Sequence, residues 1–326
     1  MGIKSSDYLY ATARIRAMES TRINREKCER MLEAKTAAEA MAQIGFAEGG
    51  IPAAREAWFS ARLGEAYSGV LEMMPSADAI RFLQYPYDCT NLKTAIKCHV
   101  RRIACTDMLI SFASLPIEQY PRMVDSRDFG GMPEHMAAAA SEAIEAYTRT
   151  ADPQQIDLIL DRACFADMCA DADCAFSQML IRAKIDLTNL MTFLRVLRMG
   201  LTAANRAMLE GALLEGGEIL PGVFLSAMAG GESRLAEHLG GSICAEVLEE
   251  FDSSQRNELP ALAELERACD DAWLARVRGA KYIAFGAEIP VSYLIEWEYA
   301  VKNMRIICAG KDAGLDNDTI RARLRS

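Results

Sequence analysis

The heptapeptide Asp88-Cys-Thr90-Asn91-Leu92-Lys-Thr94 occurs twice in this sequence of 326 residues. The second copy, Asp186-Leu-Thr188-Asn189-Leu190-Met-Thr192, begins 98 residues later and is identical at five of the seven positions. A third, weaker copy is Lys302-Asn303-Met304-Arg305-Ile306-Ile307, in which the asparagine lies 114 residues after that of the second copy. A repeat of this period indicates a fold built from one unit used three times. We therefore expect function to depend on the assembled shape and not on a single catalytic cleft.

The composition predicts an all-α protein. Hydrophobic residues make up 51% of the chain and charged residues 25%, which is typical of a soluble globular protein. Strong helix formers dominate, and long alternating or β-branched runs are almost absent. Together with the repeat, this predicts three similar helical units, at residues 1–104, 105–206 and 207–326.

Charge and hydropathy argue against nucleic-acid binding and against a membrane-spanning segment. The net charge of -10 argues against nucleic-acid binding by overall electrostatics. The longest apolar stretch, from Leu187 to Leu201, is interrupted by Arg195 and Arg198. We therefore expect no transmembrane segment, and the N-terminus lacks the apolar region of a secretory signal.

The ten cysteines lack the spacing of a metal site. Cys164, Cys169 and Cys174 are spaced by five residues, so successive side chains on a helix would diverge by about 140°. Cys98 and Cys105 are expected to share a helical face, but two further ligands for zinc are missing nearby. We predict free, mostly buried thiols and no metal ion.

Signals for an enzyme are poor, and we expect no catalytic residue and no cofactor. Gly310-Lys311 is followed by Asp312 and lacks the first glycine of a phosphate-binding loop. The chain has three histidines, and none has a serine or cysteine partner at a known motif spacing. The segment Asp270-Asp271-Ala-Trp-Leu274 lacks the closing carboxylate of an aspartate-rich magnesium motif.

The repeated residues are interpreted as structural. Asp88 and Asp186 are expected at helix starts, where a carboxylate can accept hydrogen bonds from exposed backbone N–H groups. The asparagine three residues later can bridge to a neighbouring backbone. The third copy has Ala300 at the position of the aspartate. The predicted structural signature comprises Asp88, Asn91, Asp186, Asn189 and Asn303.

Each copy of the signature is expected on a helix with an apolar stripe, here called a signature helix. Pro86 introduces the first signature helix and Pro290 the third. Apolar residues recur every three or four positions in the first two helices. The expected stripes are Leu92, Ile96, Val100 and Ile103 in the first helix, and Leu190, Leu194, Leu197 and Leu201 in the second.

Basic residues follow each repeated asparagine. Lys93, Lys97 and Arg101 are expected on one helical face, and Arg195 and Arg305 follow the other two asparagines. One interpretation is a solvated surface that also compensates the helix dipole. The alternative is a basic rim, repeated three times, that contacts an acidic partner.

Four segments occur in a specific order along nearly the whole chain: Tyr10–Glu19, Tyr85–Lys93, Lys184–Leu190 and Lys302–Lys311. Together they resemble the C subunit of the V/A-type ATPases, whose counterpart in the eukaryotic vacuolar enzyme is the d subunit. Ala300 departs from the acidic residue present in the other two copies.

The resemblance implies a funnel of three helical units around a pseudo-threefold axis. Members of that family lie at the cytoplasmic face of the membrane, where they bind the proteolipid ring and receive the proteins of the central shaft. The resemblance thus implies a peripheral, non-catalytic rotor connector that serves proton or sodium transport. The alternative function is a soluble helical repeat scaffold that binds cytosolic proteins.

Overall fold

A computed structural model describes residues 4–19, 22–250 and 261–326 of the chain, with the backbone alone at 232 and 233. The all-α prediction is confirmed, since the regular secondary structure in these residues is helical. The α-helices are α1 (Leu9–Met18), α2 (Arg25–Glu33), α3 (Ala37–Ala42), α4 (Pro52–Leu71), α5 (Asp78–Arg81), α6 (Tyr85–Arg101), α7 (Gln119–Ser126), α8 (Glu134–Thr150), α9 (Pro153–Asp171), α10 (Ala175–Met199), α11 (Ala203–Ala212), α12 (Pro221–Ala227), α13 (Gly231–Ala236), α14 (Ile243–Glu250), α15 (Leu262–Val277), α16 (Glu288–Asp312) and α17 (Asn317–Arg321).

The chain forms two compact units. Met1–Ala77 and Pro260–Ser326 belong to unit 1, and Asp78–Leu259 forms unit 2. The boundaries expected at 104 and 206 do not coincide with this division. The organisation into three similar units therefore stays a prediction.

Short polar residues and prolines define where several helices begin. The side chains of Asn24, Thr36 and Asp152 accept hydrogen bonds from the first-turn N–H groups of α2, α3 and α9. Each such cap stabilises a helix by about 1 kcal/mol. Pro52 and Pro153 occupy the first position of α4 and α9, where a missing N–H costs nothing.

In unit 1, α16 is the central helix and contacts α1, α2, α3, α4, α15 and α17. Its apolar side chains are buried around most of the helix, including Leu294, Val301 and Ile307. The buried Arg55 of α4 forms an ion pair with Asp312 at the end of α16. A helix covered on so many sides is held mainly by apolar burial.

In unit 2, α10 contacts α9, α11, α12 and α14, while α6 contacts α7, α8 and α9. Leu190 and Leu194 are buried as predicted. Val100 and Leu197 are half-buried. Ile103 and Leu201 lie beyond the ends of α6 and α10 and are 49% and 60% exposed. Both helices end earlier than the periodicity suggests, because the next backbone residue has positive φ, 56° at Arg102 and 98° at Gly200.

A matched pair of glycines tests the packing of unit 1. Gly69 and Gly310 are both third from the end of a long helix, but a Cβ at 310 would lie 2.5 Å from Cγ1 of the buried Ile320, whereas nothing lies within 4 Å at 69. Gly69→Ala should raise the free energy of unfolding by up to about 1 kcal/mol. Gly310→Ala should lower it by about 1–3 kcal/mol because α17 must move away. Denaturant unfolding of both variants measures the contrast, and equal changes of the same sign would refute the close approach of α16 and α17.

Candidate functional site

The three repeated asparagines make the same contact. Each side-chain amide donates to the carbonyl of a residue further along the chain, and its oxygen accepts from the N–H of that same residue. Asn91 pairs in this way with Ile110 at 2.9 and 2.7 Å. Asn189 pairs with Leu214 at 2.9 and 2.8 Å. We call this two-bond contact the amide clasp.

The third clasp is formed by Asn303 of α16, which holds Arg325 with two bonds of 2.9 Å. A carboxamide suits this role because it carries an N–H donor and a C=O acceptor side by side. It can therefore bond to the N–H and the carbonyl of one residue, as the backbone of a neighbouring β-strand does. Without it, an N–H and a carbonyl in each returning segment would lose their partners in a poorly hydrated place. The asparagines therefore fix a returning segment against the middle of a long helix.

The first aspartate anchors the same returning segment as its neighbouring asparagine. Asp88 is fully buried and accepts hydrogen bonds from the N–H of Ser114 at 2.9 Å and the hydroxyl of Ser114 at 2.6 Å. The hydroxyl of Tyr120 donates to the same carboxylate at 2.5 Å. Burial raises the pKa of Asp88, while the bonds from Ser114 and Tyr120 oppose that rise.

The second aspartate has a similar role with fewer donors. The two carboxylate oxygens of Asp186 accept the N–H groups of Ile219 and Glu218, each at 3.1 Å. Burial raises the pKa of Asp186 to about 6. The approach needs Gly217, because a Cβ there would collide with the carboxylate, and Gly216 before it has φ of 94°.

These contacts correct the capping role expected of the two carboxylates. Asp186 lies in the middle of α10, and Asp88 lies in the first turn of α6 without capping it. Both carboxylates instead satisfy N–H groups of a segment 26 to 33 residues later in the chain. The predicted position at a helix start is therefore right for Asp88 and wrong for Asp186. The predicted capping role is wrong for both, because each carboxylate bonds to a distant segment and not to the first turn of its own helix.

The third copy has a different arrangement around Ala300. The nearby carboxylate comes from Asp270 of α15, which accepts from the hydroxyl of Tyr299 at 2.7 Å and from Nζ of Lys302 at 2.6 Å. Nε of Arg325 also donates to Asp270 at 2.8 Å. The clasped residue Arg325 is therefore also held through its own side chain.

The basic face of α6 is mostly paired within the chain. Nζ of Lys93 lies 2.5 Å from Asp161, and Nζ of Lys97 lies 2.6 Å from Asp157, both on α9. Arg101 is exposed. A partner-contact role for these three residues stays a prediction, and Arg101 is the member whose charge is most accessible.

The cysteines are thiols without disulfide bonds, and eight of the ten are buried. Cys98 and Cys105 do not share a helix as expected, since α6 ends at Arg101, but their thiols are hydrogen-bonded across the following turn. Burial raises the pKa of Cys105, and the neighbouring thiol of Cys98 raises it further. In the part of the chain that the structure describes, no group of three or more cysteine, histidine or carboxylate side chains is arranged to hold a metal ion.

Comparison with known proteins identifies the origin of this framework. A family model described as ATP synthase (C/AC39) subunit matches residues 11–323. The chain belongs to this family. The match includes the three clasp asparagines and the helices that carry them, and the resemblance drawn from the four ordered segments is confirmed.

Two curated relatives are both named as the C subunit of an A-type ATP synthase. The protein from Halorubrum lacusprofundi is 27% identical over 198 residues, which cover 56% of this chain and 53% of the relative. The protein from Haloquadratum walsbyi is 23% identical over 349 aligned positions, which cover 98% of this chain and 99% of the relative. The chain thus spans about half the length of one C/AC39 relative and nearly all of the other.

No helix in residues 4–19, 22–250 or 261–326 has both the length and the apolar character needed to cross a bilayer.

The clasps lead to a stability prediction. Asn189→Ala should lower the free energy of unfolding by about 2–4 kcal/mol, because it removes two hydrogen bonds and leaves the N–H and carbonyl of buried Leu214 unpaired. Thr90→Ala is the control: Thr90 is exposed and bonds only to a carbonyl of its own helix, so the change should stay within about 0.5 kcal/mol. Chemical denaturation measures both, and similar values for the two variants would contradict the role of the clasp.

Asp186 leads to a prediction on pH. Its folded pKa of about 6 lies above that of an unfolded aspartate, so the folded state binds the proton more tightly. The stability that this group contributes is present below about pH 4 and is lost as the pH rises through about 6. Relative to Asp186→Asn, the native chain should lose on the order of 3 kcal/mol of unfolding free energy between pH 4 and 8. Unfolding of both proteins across this range measures the difference, and a constant or rising difference would refute the shift.

Proposed function

We propose that this chain is a non-catalytic central-stalk connector of a V/A-type rotary ATPase. In this role it joins the proteins of the central shaft to the membrane proteolipid ring and transmits torque during ATP-linked proton or sodium transport. The observation that carries the proposal is the C/AC39 family match over residues 11–323. The names of the two relatives, each the C subunit of an A-type ATP synthase, support the same assignment.

The amide clasp supports a mechanical role. A part that transmits torque must resist local unfolding, because a segment that opens under load would dissipate the rotation. Each clasp ties a returning segment to the middle of a long helix, at Asn91, Asn189 and Asn303. We propose that the three signature helices correspond to the three units of a pseudo-threefold funnel at the cytoplasmic face of the membrane.

We propose that the two partners are held by different forces. The shaft is gripped by shape and apolar contact, and the proteolipid loops are held by polar contacts. Exposed ion pairs contribute about 1 kcal/mol or less each and are weakened by salt. Apolar burial is not screened in this way.

The proposal predicts an order of release in a salt series. As ionic strength rises, the chain should leave ring-containing membranes before it loses the shaft proteins. Sedimentation of membranes, with a pull-down of the shaft proteins at each salt concentration, measures both steps. If the chain stays wholly in the cytosolic fraction at low salt, the result supports the alternative function, a soluble scaffold that binds cytosolic proteins. If the shaft dissociates first, the division of forces is wrong.

Two variants on α6 separate contact residues from internal ones. Arg101→Ala removes an exposed charge and should lower the salt concentration at which the chain leaves the membrane. Lys93→Ala is the matched control, because its Nζ is already paired with Asp161 and its side chain is 17% exposed. If both variants leave the membrane at the same salt concentration as the native chain, Arg101 is a solvated surface residue and does not contact the ring.

A further inference from the structure

The segment that returns onto α6 contacts this helix at three successive levels. Its far end donates hydrogen bonds to Asp88, and its middle is held by the amide clasp of Asn91. Nearest the end of the helix, the thiol of Cys105 is hydrogen-bonded to the thiol of Cys98. The segment therefore runs back along α6, and the two thiols form the first of its three anchors.

The level of the two thiols has a counterpart in the other copies of the signature. Cys98 lies seven residues after the clasp asparagine, and Cys105 lies five residues before the clasped residue. The same offsets give these pairs in the second and third copies: Val196 with Leu209, and Gly310 with Ile320. Leu209 and Ile320 are fully buried, and Ile320 packs directly against Gly310. An aliphatic side chain thus fills this level in two copies, whereas the first copy carries a thiol on both sides.

The thiol pair lies beneath a thin and exposed part of the chain. Within the stretch Arg101–Met108, Cys105 is the single buried residue. Exposed segments outside helices open locally at a lower cost in free energy than helix interiors do. Burial raises the pKa of Cys105, and the thiol of Cys98 raises it further, so both groups stay protonated at neutral pH while the segment is closed. A small reagent therefore reaches the pair when this segment opens.

We propose that Cys98 and Cys105 form a reversible disulfide that locks the returning segment onto the end of α6. The oxidant is a low-molecular-weight disulfide, such as oxidised glutathione. Cys105 gives up its proton to water, and its thiolate attacks one sulfur of the oxidant and releases the first small thiol. Cys98 is deprotonated in the same way, attacks Sγ of Cys105 and releases the second small thiol.

The exchange is balanced, because one S–S bond breaks in the oxidant and one forms in the protein. Two electrons and two protons pass from the two cysteines to the oxidant, which leaves as two thiols. An excess of small thiol reverses the reaction. The inference does not rest on the proposed function.

Peptide mapping of the full chain tests the disulfide. The folded protein is incubated with oxidised glutathione, its remaining thiols are alkylated, and it is digested with trypsin without reduction. Cleavage after Lys97, Arg101 and Arg102 separates the two cysteines. The disulfide should therefore join peptide 98–101 to peptide 103–122, at a mass two hydrogens below their sum, and dithiothreitol should separate them. Absence of this linked species while other cysteines become modified would overturn the proposal.

A second pair of thiols is the matched control. Cys89 and Cys164 are also buried and hydrogen-bonded to each other, but they lie inside α6 and α9. Because no exposed segment carries either thiol, this pair should become linked on the order of tenfold more slowly. Linkage of Cys89 to Cys164 at an equal or higher rate would contradict the assignment of the redox site to the returning segment.

The locking effect is tested with the clasp variants. Oxidation of Asn91→Ala should move its denaturant midpoint back toward that of the native chain, because the disulfide holds the segment that the clasp no longer holds. Asn189→Ala is the control, since its clasp belongs to the second copy, which has no thiols at this level. Its midpoint should shift on oxidation only as much as that of the native chain. Equal shifts in the two variants would contradict the lock.

Hydrogen exchange of the native chain gives the same test if Asn91→Ala does not fold. Exchange of the N–H of Ile110 should slow on the order of tenfold when Cys98 and Cys105 are linked, because the segment opens less often. Exchange of the N–H of Leu214, in the second clasp, should be unchanged. The same exchange rate at Ile110 in the reduced and the oxidised chain would overturn the proposal.

Discussion

Buried backbone groups must find hydrogen-bond partners, and in this chain the amide clasp supplies them wherever a loop returns onto a signature helix. One asparagine side chain satisfies an N–H and a carbonyl together, so a segment without regular structure can lie against α6, α10 or α16 without a strand beside it. The returning segments then cover the long helices and complete the core. Loss of the carboxamide would leave those groups unpaired, which apolar packing around them cannot repair.

The fold also accommodates two buried aspartates, Asp88 and Asp186, although removing a carboxylate from water costs free energy. A carboxylate buried as completely as Asp186 is desolvated, and its raised pKa records that cost. Asp88 offsets more of it with donors from Ser114 and Tyr120. In the third copy Ala300 replaces the aspartate, the clasp is kept, and Asp270 of α15 supplies the nearby carboxylate. The asparagine is therefore the shared structural element, and the aspartate position is where the copies differ.

Local patterns in the sequence predict several features of the fold. The caps at Asn24 and Thr36 follow from short polar side chains before a helical period. The repeat identifies Asn91, Asn189 and Asn303, because the asparagine is present in all three copies although the residues around it differ in the third. Periodicity alone places the ends of α6 and α10 too late, because the apolar period continues past the backbone turn that stops each helix.

What the sequence by itself determined is the helical class, the repeated signature and, through its motifs, membership of the C/AC39 family. Only the tertiary structure decided what the signature does. Its partners are backbone atoms of Ile110, Leu214 and Arg325, and a backbone N–H or carbonyl has no identity that a sequence pattern can display. The same holds for the ion pair between Arg55 and Asp312, which are 257 residues apart in the chain. The tendency to form a helix depends on residues that are close in the sequence, whereas contacts between distant residues depend on how the helices pack.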